Sequence, residues 1–182
     1  STTSKSINLC DNHRITRLQK FIDSLGFTPH LEMFGLCSLE RYRNRNEFEI
    51  KYIMRHIQAY LHILQSVNSK NYSINEIVVE ISDMQIINSI ILKEGIDRSW
   101  LRKNTEDESF DFINESGINI KRFHNSINQS MIAVLSQLNV NGRTSILRSI
   151  EKEVIIPLRK KFPNVKFLFD LGRIAGIGYY SG

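Results

Sequence analysis

The stretch that decides the fold lies at residues 165–182 and reads VKFLFDLGRIAGIGYYSG. Its beginning, Val165–Phe169, is a short run of β-forming side chains, which predicts a strand. Gly178–Gly182 predicts the start of another strand. Neighbouring residues of a strand point to opposite faces, so Tyr179 and Tyr180 would offer one ring to a pocket and the other to the core. The alternative is that both rings are core or edge aromatics.

Glycines and carboxylates around the two tyrosines are further candidates for a site. Gly176 and Gly178 would let the backbone approach a ligand closely, or they form a plain turn or bulge. Asp170 could pair with Asp111 or Glu115 as an acid and a base. Nothing in their spacing supports that pairing, so we expect these carboxylates to be solvated or to cap helices.

The first 45 residues predict a polar tail followed by a helix. Asn12 is a suitable N-terminal cap, and the residues after it place apolar side chains three and four apart as far as Leu25. Gly26 is a suitable end for that helix.

The remaining segments are mostly helical, with a strand among them, and the fold class predicted is therefore α+β. Each element is defined by its apolar periodicity and its flanking turn residues. The predicted elements are a helix over 47–67, a strand over 74–81, a helix capped by Ser82 or Asp83 that stops at Gly95, short helices over 98–104, 106–116, 120–125 and 126–138, and a helix from Thr144 to Lys161 that Pro157 could kink.

Composition excludes several classes of function. The chain has 24 basic and 19 acidic residues, but the basic ones are scattered, so nucleic-acid binding is not favoured. Cys10 and Cys37 have no ligand-like spacing to each other or to a histidine, which predicts reduced thiols and no metal site. No apolar run approaches the roughly 20 residues that span a bilayer, and the polar beginning lacks the core of an export signal. We therefore expect a cytoplasmic protein.

The stretch at residues 165–182 resembles a motif of the histidyl-tRNA synthetase family. That motif reads roughly Arg-Gly-Leu-Asp-Tyr-Tyr-Thr-Gly and follows a strand that ends in Phe-Asp. Here the predicted strand Val165–Phe169 leads into Asp170, and GIGYYSG follows at 176–182. The resemblance extends over 46–182. It implies a class II synthetase-like mixed or antiparallel sheet with a helical insertion at about 96–141, preceded by a motif 1-like region within 1–45.

Departures from the motif are as informative as the matches. The family's catalytic arginine falls on Ala175 and its aspartate on Gly178. Adenylation develops negative charge on a phosphate, which a guanidinium stabilises with two parallel hydrogen bonds, and alanine cannot replace it. Arg173 would share a face with residue 175 if both lay on a strand, and it could then restore part of that function.

The regulatory subunit of ATP phosphoribosyltransferase is the branch of the family that resembles this pattern best. It has the synthetase-like domain without aminoacylation and often reads Phe-Asp-Leu-Gly followed by a relaxed Gly-x-x-Tyr-x-(Ser/Thr)-Gly. The resemblance implies a non-catalytic subunit that is needed for the first step of histidine biosynthesis and that senses free histidine. Its expected partners are the short-form catalytic subunit and a second copy of itself. The resemblance implies no cofactor and no metal, and binding of tRNA is not favoured. The implied histidine-binding residues are Tyr179, Tyr180, Gly176, Gly178 and Arg173.

Two alternatives stay open. The chain could be a divergent or fragmentary histidyl-tRNA synthetase, an ATP-dependent ligase, since the family's motifs 2 and 3 are not found and the sequence looks like part of a longer protein. It could instead be a protein-interaction module in which the helical middle binds a partner and the tyrosine motif is a coincidence.

Overall fold

The structure is a computed structural model that describes residues 6–16, 30–41, 45–70, 72–105, 107, 109–175 and 177. Helices and two small sheets make an α+β fold, as predicted. The chain forms two compact units, Ser1–Ile57 and Gln58–Gly182. The division falls inside the first helix, whereas the sequence placed a boundary at the beginning of that helix.

The first unit contains a long antiparallel hairpin and the beginning of a helix. Strand β1 (Ile7–Thr16) pairs with β2 (His30–Leu39) over its whole length. Helix α1 (Arg45–Asn68) confirms the helix predicted over 47–67. Two hydrogen bonds join the hairpin region to α1, one between the Ser38 hydroxyl and His56 Nε2 (2.9 Å) and one from Lys51 Nζ to Glu40 (3.1 Å).

The helix predicted from Asn12 is wrong over Asn12–Thr16, where the chain is the second half of β1, and residues 17–25 of that prediction lie outside the described residues. The helical spacing depended on apolar residues beyond Thr16. Before that point the apolar residues alternate instead, and β2 offers apolar partners at the facing positions. Pairing between the two strands therefore decides the local structure.

Alternation places most of the hairpin's apolar side chains on one face. The apolar residues Ile7, Leu9, Met33 and Leu39 point to that face and are each about half exposed. Cys10 pairs with Leu36 and Cys37 pairs with Leu9, so the two thiols lie on opposite faces and both are exposed.

The second unit is organised around a three-stranded mixed sheet. Strand β3 (Ile77–Ile81), strand β4 (Phe123–His124) and strand β5 (Val165–Asp170) form the order β3-β5-β4. β5 runs parallel to β3 and antiparallel to β4. The strands predicted over 74–81 and 165–169 are thus confirmed.

Strand β4 lies where the sequence predicted a helix over 120–125, and that prediction is wrong. Phe123 and His124 pair with Asp170 and Phe169 of the central strand. This pairing links residues far apart in the chain, so no local propensity signals it.

Six helices follow β3 in the described part of the second unit. They are α2 (Met84–Lys93), α3 (Arg98–Lys103), α4 (Phe112–Glu115), α5 (Gln129–Gln137), α6 (Asn141–Ile150) and α7 (Ile156–Lys161). The Asp83 carboxylate accepts from Gln85 N–H and caps α2, and the chain leaves that helix at Gly95 with φ +65°, both as predicted. Thr144 lies inside α6 and does not cap it.

A π-helical turn at Glu151–Ile155 joins α6 to α7. The Ile156 N–H donates to the Glu151 carbonyl, five residues back. Pro157 follows at once, and it has no N–H to continue an α-helical ladder. The irregularity predicted at Pro157 therefore takes the form of a widened turn before the proline.

Apolar residues of these helices cover one face of the sheet and form the core. Phe167 and Phe169 of β5 are buried, and so are Val154 and Ile155 at the end of the π-helical turn. The fully buried side chains include Ile86, Ile87, Ile90, Leu101, Phe112, Met131, Leu135 and Ile155. None of the helices in the described ranges is long and apolar enough to cross a membrane.

Candidate functional site

The candidate site lies where β3 and β5 end side by side. Because the two strands are parallel and Ile81 pairs with Phe169, their carboxyl ends meet at one edge of the sheet. Glu80 pairs with Leu168, so its side chain shares a face with that of Asp170. The carboxyl edge of parallel strands is where open sheets with parallel strands bind ligands. The motif-bearing segment leaves β5 at this edge.

A buried ion pair occupies the centre of the edge. The side chain of Asp170 is 0% exposed. Arg122 donates two hydrogen bonds to it, from Nε to Oδ1 at 3.0 Å and from Nη2 to Oδ2 at 3.1 Å. The Gly172 N–H donates to Oδ1 at 2.7 Å, and the remaining nitrogen of Arg122 donates to the Phe110 carbonyl at 3.3 Å. Each nitrogen of Arg122 and each carboxylate oxygen of Asp170 therefore has a partner.

The charge of Arg122 is fixed by its surroundings. Its hydrogen bonds to Asp170 raise the pKa of the guanidinium above its ordinary value, and the charges of Asp170, Asp111 and Glu80 add to the effect against the opposing cost of burial. An arginine with a raised pKa stays protonated at every working pH. Arg122 thus cannot exchange a proton with a substrate.

Gly172 provides the space through which Arg122 reaches Asp170. A Cβ at this position would lie 2.8 Å from both Cγ and Cδ of Arg122 and 3.0 Å from its Nε. Real Cβ atoms do not approach other atoms this closely, so any larger residue would displace the arginine. The glycine of the Phe-Asp-Leu-Gly run is accordingly a packing requirement of the ion pair.

Arg173 projects outward from a segment that is held on both sides. Leu171 is buried, and its N–H donates to the Arg122 carbonyl at 2.9 Å, while Ile174 is buried on the other side. The Arg173 Nη1 donates to Glu80 Oε2 at 3.4 Å. The two side chains are 51% and 31% exposed, so this second ion pair lies at the surface.

Of the residues predicted for the site, the structure places Arg173 at this edge. Gly176, Gly178, Tyr179 and Tyr180 lie outside the described residues. Ala175, at the position of the family's catalytic arginine, is exposed. Residues 171–175 are not a strand, so the alternation that would bring Arg173 to the face of residue 175 does not apply.

The three carboxylates that the sequence analysis considered as an acid–base pair lie in different environments. Asp111 caps α4 by accepting from Ile113 N–H at 3.1 Å, in agreement with the prediction. Asp170 was expected to be solvated or capping and is instead buried, because Arg122 supplies the charge that permits its burial. Glu115 is exposed in the structure.

Sequence reasoning missed Arg122 and Glu80. Arg122 is 48 positions from Asp170, and no spacing rule connects them. Glu80 carried a usable signal, since it is a charged residue inside a β-rich run that ends at the carboxyl edge of the sheet.

Other polar contacts of the second unit are structural. Asp83 pairs with Arg143 at 2.6 Å, and Arg159 donates to the carbonyls of Asn125 and Phe167. The buried His124 ring has its Nε2 2.9 Å from the Lys121 carbonyl. Within the described ranges no three histidine, cysteine or acidic side chains come together in a way that could hold a metal ion.

Comparison with known proteins adds no relative. No protein-family model matches the chain, and neither a curated protein nor a solved structure matches it significantly. The resemblance to the histidyl-tRNA synthetase family therefore rests on the sequence motif alone. The geometry of the carboxyl edge is described without reference to any relative.

Proposed function

We propose that the chain is a non-catalytic regulatory subunit of ATP phosphoribosyltransferase that senses histidine with a class II synthetase-like sheet. The observation that carries the proposal is the composition of the carboxyl edge. Ala175 is exposed where the synthetase family has its arginine, and the Nε and Nη2 of Arg122, the fork that makes two parallel bonds, are held by Asp170. A guanidinium free to make two parallel bonds to phosphate, which adenylation needs, is missing at both positions.

Regulation makes a smaller demand on this edge. An effector acts when it binds one state of the protein more tightly than another, and no transition state has to be stabilised. The segment carrying Arg173 is fixed by two buried neighbours and by the Leu171–Arg122 hydrogen bond. A fixed segment of this kind favours binding because little conformational entropy is lost when a ligand arrives.

The proposal includes the remaining properties that the family resemblance implies. The chain would act in the cytoplasm, assemble with a second copy of itself and bind a short-form catalytic subunit. Tyr179, Tyr180, Gly176 and Gly178 would complete the histidine site together with Arg173.

The direct test measures ATP phosphoribosyltransferase activity of a short-form catalytic subunit with and without the full-length protein. We expect the added protein to raise the rate and free histidine to lower it again. A size-exclusion experiment on the same mixture should show co-elution. The proposal is wrong if the two proteins neither co-elute nor alter the rate.

The second candidate function is histidine activation by a divergent synthetase, which the exposed guanidinium of Arg173 at the same edge favours. Histidine-dependent exchange of pyrophosphate into ATP by the full-length protein would establish it. Arg173→Ala should abolish that exchange if Arg173 replaces the lost arginine, and exchange that persists in the variant would assign the activity to other residues.

A further inference from the structure

Helix α1 exposes a row of apolar side chains along its second half. Tyr60, Ile63 and Val67 are 42%, 40% and 36% exposed. They follow one another at intervals of three and four residues, so they share one face of the helix. Leu61 is buried, so a different face of the same helix contributes to the core. The exposed row is therefore a second apolar face of α1.

A depression in this face has the form of a hole that receives a side chain from a packed helix. Its volume is about 270 Å³, and its walls are His62, Ile63, Ser66, Val67 and Lys70. Counted from Ile63, the last four walls stand at i, i+3, i+4 and i+7, which are neighbouring positions on a helix surface. Four residues also form the hole for one side chain of the facing helix in coiled-coil packing. The Ser66 hydroxyl donates to the His62 carbonyl at 2.9 Å, so an apolar side chain can fill the depression without leaving that hydrogen unpaired.

The charges around the depression are positive. Lys70 forms one of its walls. The ring of His62 lies 5.2 Å from that of Phe162, and the Lys161 Nζ lies 5.5 Å from the Phe162 ring. Neither lysine has a carboxylate partner among the residues that the structure describes. The sequence has no acidic residue at positions 50–75, so the negative charge that these lysines attract has to come from a partner.

We propose that this face of α1 is a docking site for an acidic amphipathic α-helix of another protein. The partner helix places a large apolar side chain in the depression and covers Tyr60, Ile63 and Val67 with its apolar stripe. Its carboxylates flank that stripe and pair with Lys70 and Lys161 at the rim. The proposal does not depend on the chain being a regulatory subunit.

Two other occupants fit the face less well. A second copy of the chain, docked through the same face, would bring lysines and no carboxylate, because α1 has no acidic residue after Glu49. An anionic membrane surface would satisfy the lysines. Its binding strength depends on the apolar area that it buries, however, and three partly exposed side chains on two turns of helix offer little.

The test is the binding of labelled model peptides to the full-length protein, followed by fluorescence anisotropy. One peptide repeats a heptad with Leu at the apolar positions and Glu at the flanking positions, and the second has Lys in place of each Glu. We expect the acidic peptide to bind at least about 10-fold more tightly than the basic one. Added salt should reduce this difference because it screens the charges at the rim.

Substitutions separate the apolar part of the face from its charge. The double variant Ile63→Ser with Val67→Ser should bind the acidic peptide about 10-fold or more weakly, because docking then buries less apolar area. Lys70→Glu should weaken binding of the acidic peptide and strengthen binding of the basic one, each by about 3- to 10-fold. A merely structural role of Lys70 would not reverse the preference between the two peptides.

Helix α2 provides the matched controls. Leu92 is 73% exposed, and the neighbouring Lys93 is exposed as well. Leu92→Ser and Lys93→Glu should bind both peptides like the unmodified protein. Circular dichroism should show unmodified helix content in every variant, since all the substituted side chains are exposed.

The results decide between the three occupants. The proposal is overturned if the acidic peptide does not bind, or if the Ile63 and Val67 substitutions leave its binding unchanged. Vesicles of anionic phospholipid and sedimentation of the protein alone test the other two. Vesicle binding or self-association that these substitutions abolish, without peptide binding, assigns the face to a membrane or to a second copy and makes the proposal wrong. The proposed function is unaffected by these results, because the activity of a catalytic subunit tests it.

Discussion

At the scale of single residues, Asp170 shows how burial and charge are reconciled at the carboxyl edge. A carboxylate with no exposed surface is tolerated because Arg122 and the Gly172 N–H satisfy its oxygens. Part of this could be predicted from the sequence. The strand Val165–Phe169 was expected, but the burial of Asp170 after it was not, since it depends on an arginine that only the folded chain brings near.

Removing one partner of this pair should be far more damaging than removing both. Asp170→Asn or Arg122→Met leaves a buried charge alone, and we expect each to lower the free energy of unfolding by about 3–5 kcal/mol. The double variant Arg122→Met with Asp170→Leu should lose less than either single change. Urea unfolding followed by circular dichroism measures all three. Additive losses in the double variant would show that the two residues do not act as a pair.

Gly172→Ala tests the space that the ion pair requires. The new Cβ would lie 2.8 Å from two carbons of Arg122, which is held in place by Asp170. We expect a loss of about 1–3 kcal/mol, as for other overpacked sites. Gly142→Ala in α6 is the matched control, because a Cβ there meets no atom within 4 Å. The control should leave thermal stability unchanged or raise it by up to about 1 kcal/mol. Equal effects of the two substitutions would contradict the steric explanation.

At the scale of elements, the sequence located those whose signals lie within one segment and missed β1 and β4, which depend on a partner elsewhere in the chain. Helix α2 has its apolar spacing, its capping Asp83 and its terminal Gly95 all within one segment, so the sequence located it. Strand β4 has two residues and exists because β5 pairs with it, and β1 depends on a partner beginning at His30. The spacing of apolar residues within one segment does not indicate which strand elsewhere in the chain will pair with it.

Helix α3 allows a test of capping through pH. The Asp97 carboxylate accepts hydrogen bonds from the Ser99 hydroxyl at 2.6 Å and from the Ser99 backbone N–H at 2.8 Å. These bonds lower the pKa of the Asp97 carboxyl, and the hydroxyl has the largest effect. A carboxyl whose folded pKa is lowered contributes stability above its unfolded pKa of about 3.9, and this contribution is lost as pH falls through the folded pKa. Ser99→Ala should move the Asp97 pKa back up, as measured by carboxyl chemical shifts in an NMR titration. An unchanged pKa would assign the shift to the backbone bonds alone.

At the scale of the whole molecule, the two compact units differ in how much of their apolar surface is buried. Among the described residues of the first unit, Tyr52 is the only buried apolar side chain, whereas three consecutive apolar residues of β5, 167–169, are buried in the second. A two-stranded hairpin without a covered face is marginally stable in water. The sequence showed the α+β class but not this contrast, since apolar residues occur in both units and only the fold decides which are covered.

Hydrogen exchange should reveal this contrast directly. Backbone amides of β1 and β2 are paired in a ladder, as those of β5 are, but they open with little loss of burial. We expect them to exchange at least about 100-fold faster than the amides of β5, because local opening there costs less free energy. Exchange detected by mass spectrometry on a dilute sample provides the measurement. Equal protection of the two sheets would indicate that the hairpin is covered in solution.

The parallel pairing of β3 with β5 also sets an order of events during synthesis. Ile77 pairs with Val165, so the partner of β3 is made about 90 residues later, which takes roughly 5–20 s at ordinary rates of translation. During that interval the edge of β3 has no strand beside it, although α2 and the helices that follow are already available to fold. Closing so long a loop is slow compared with helix formation. The carboxyl edge, with both of its ion pairs, can therefore form only after the helices between β3 and β5 have been made.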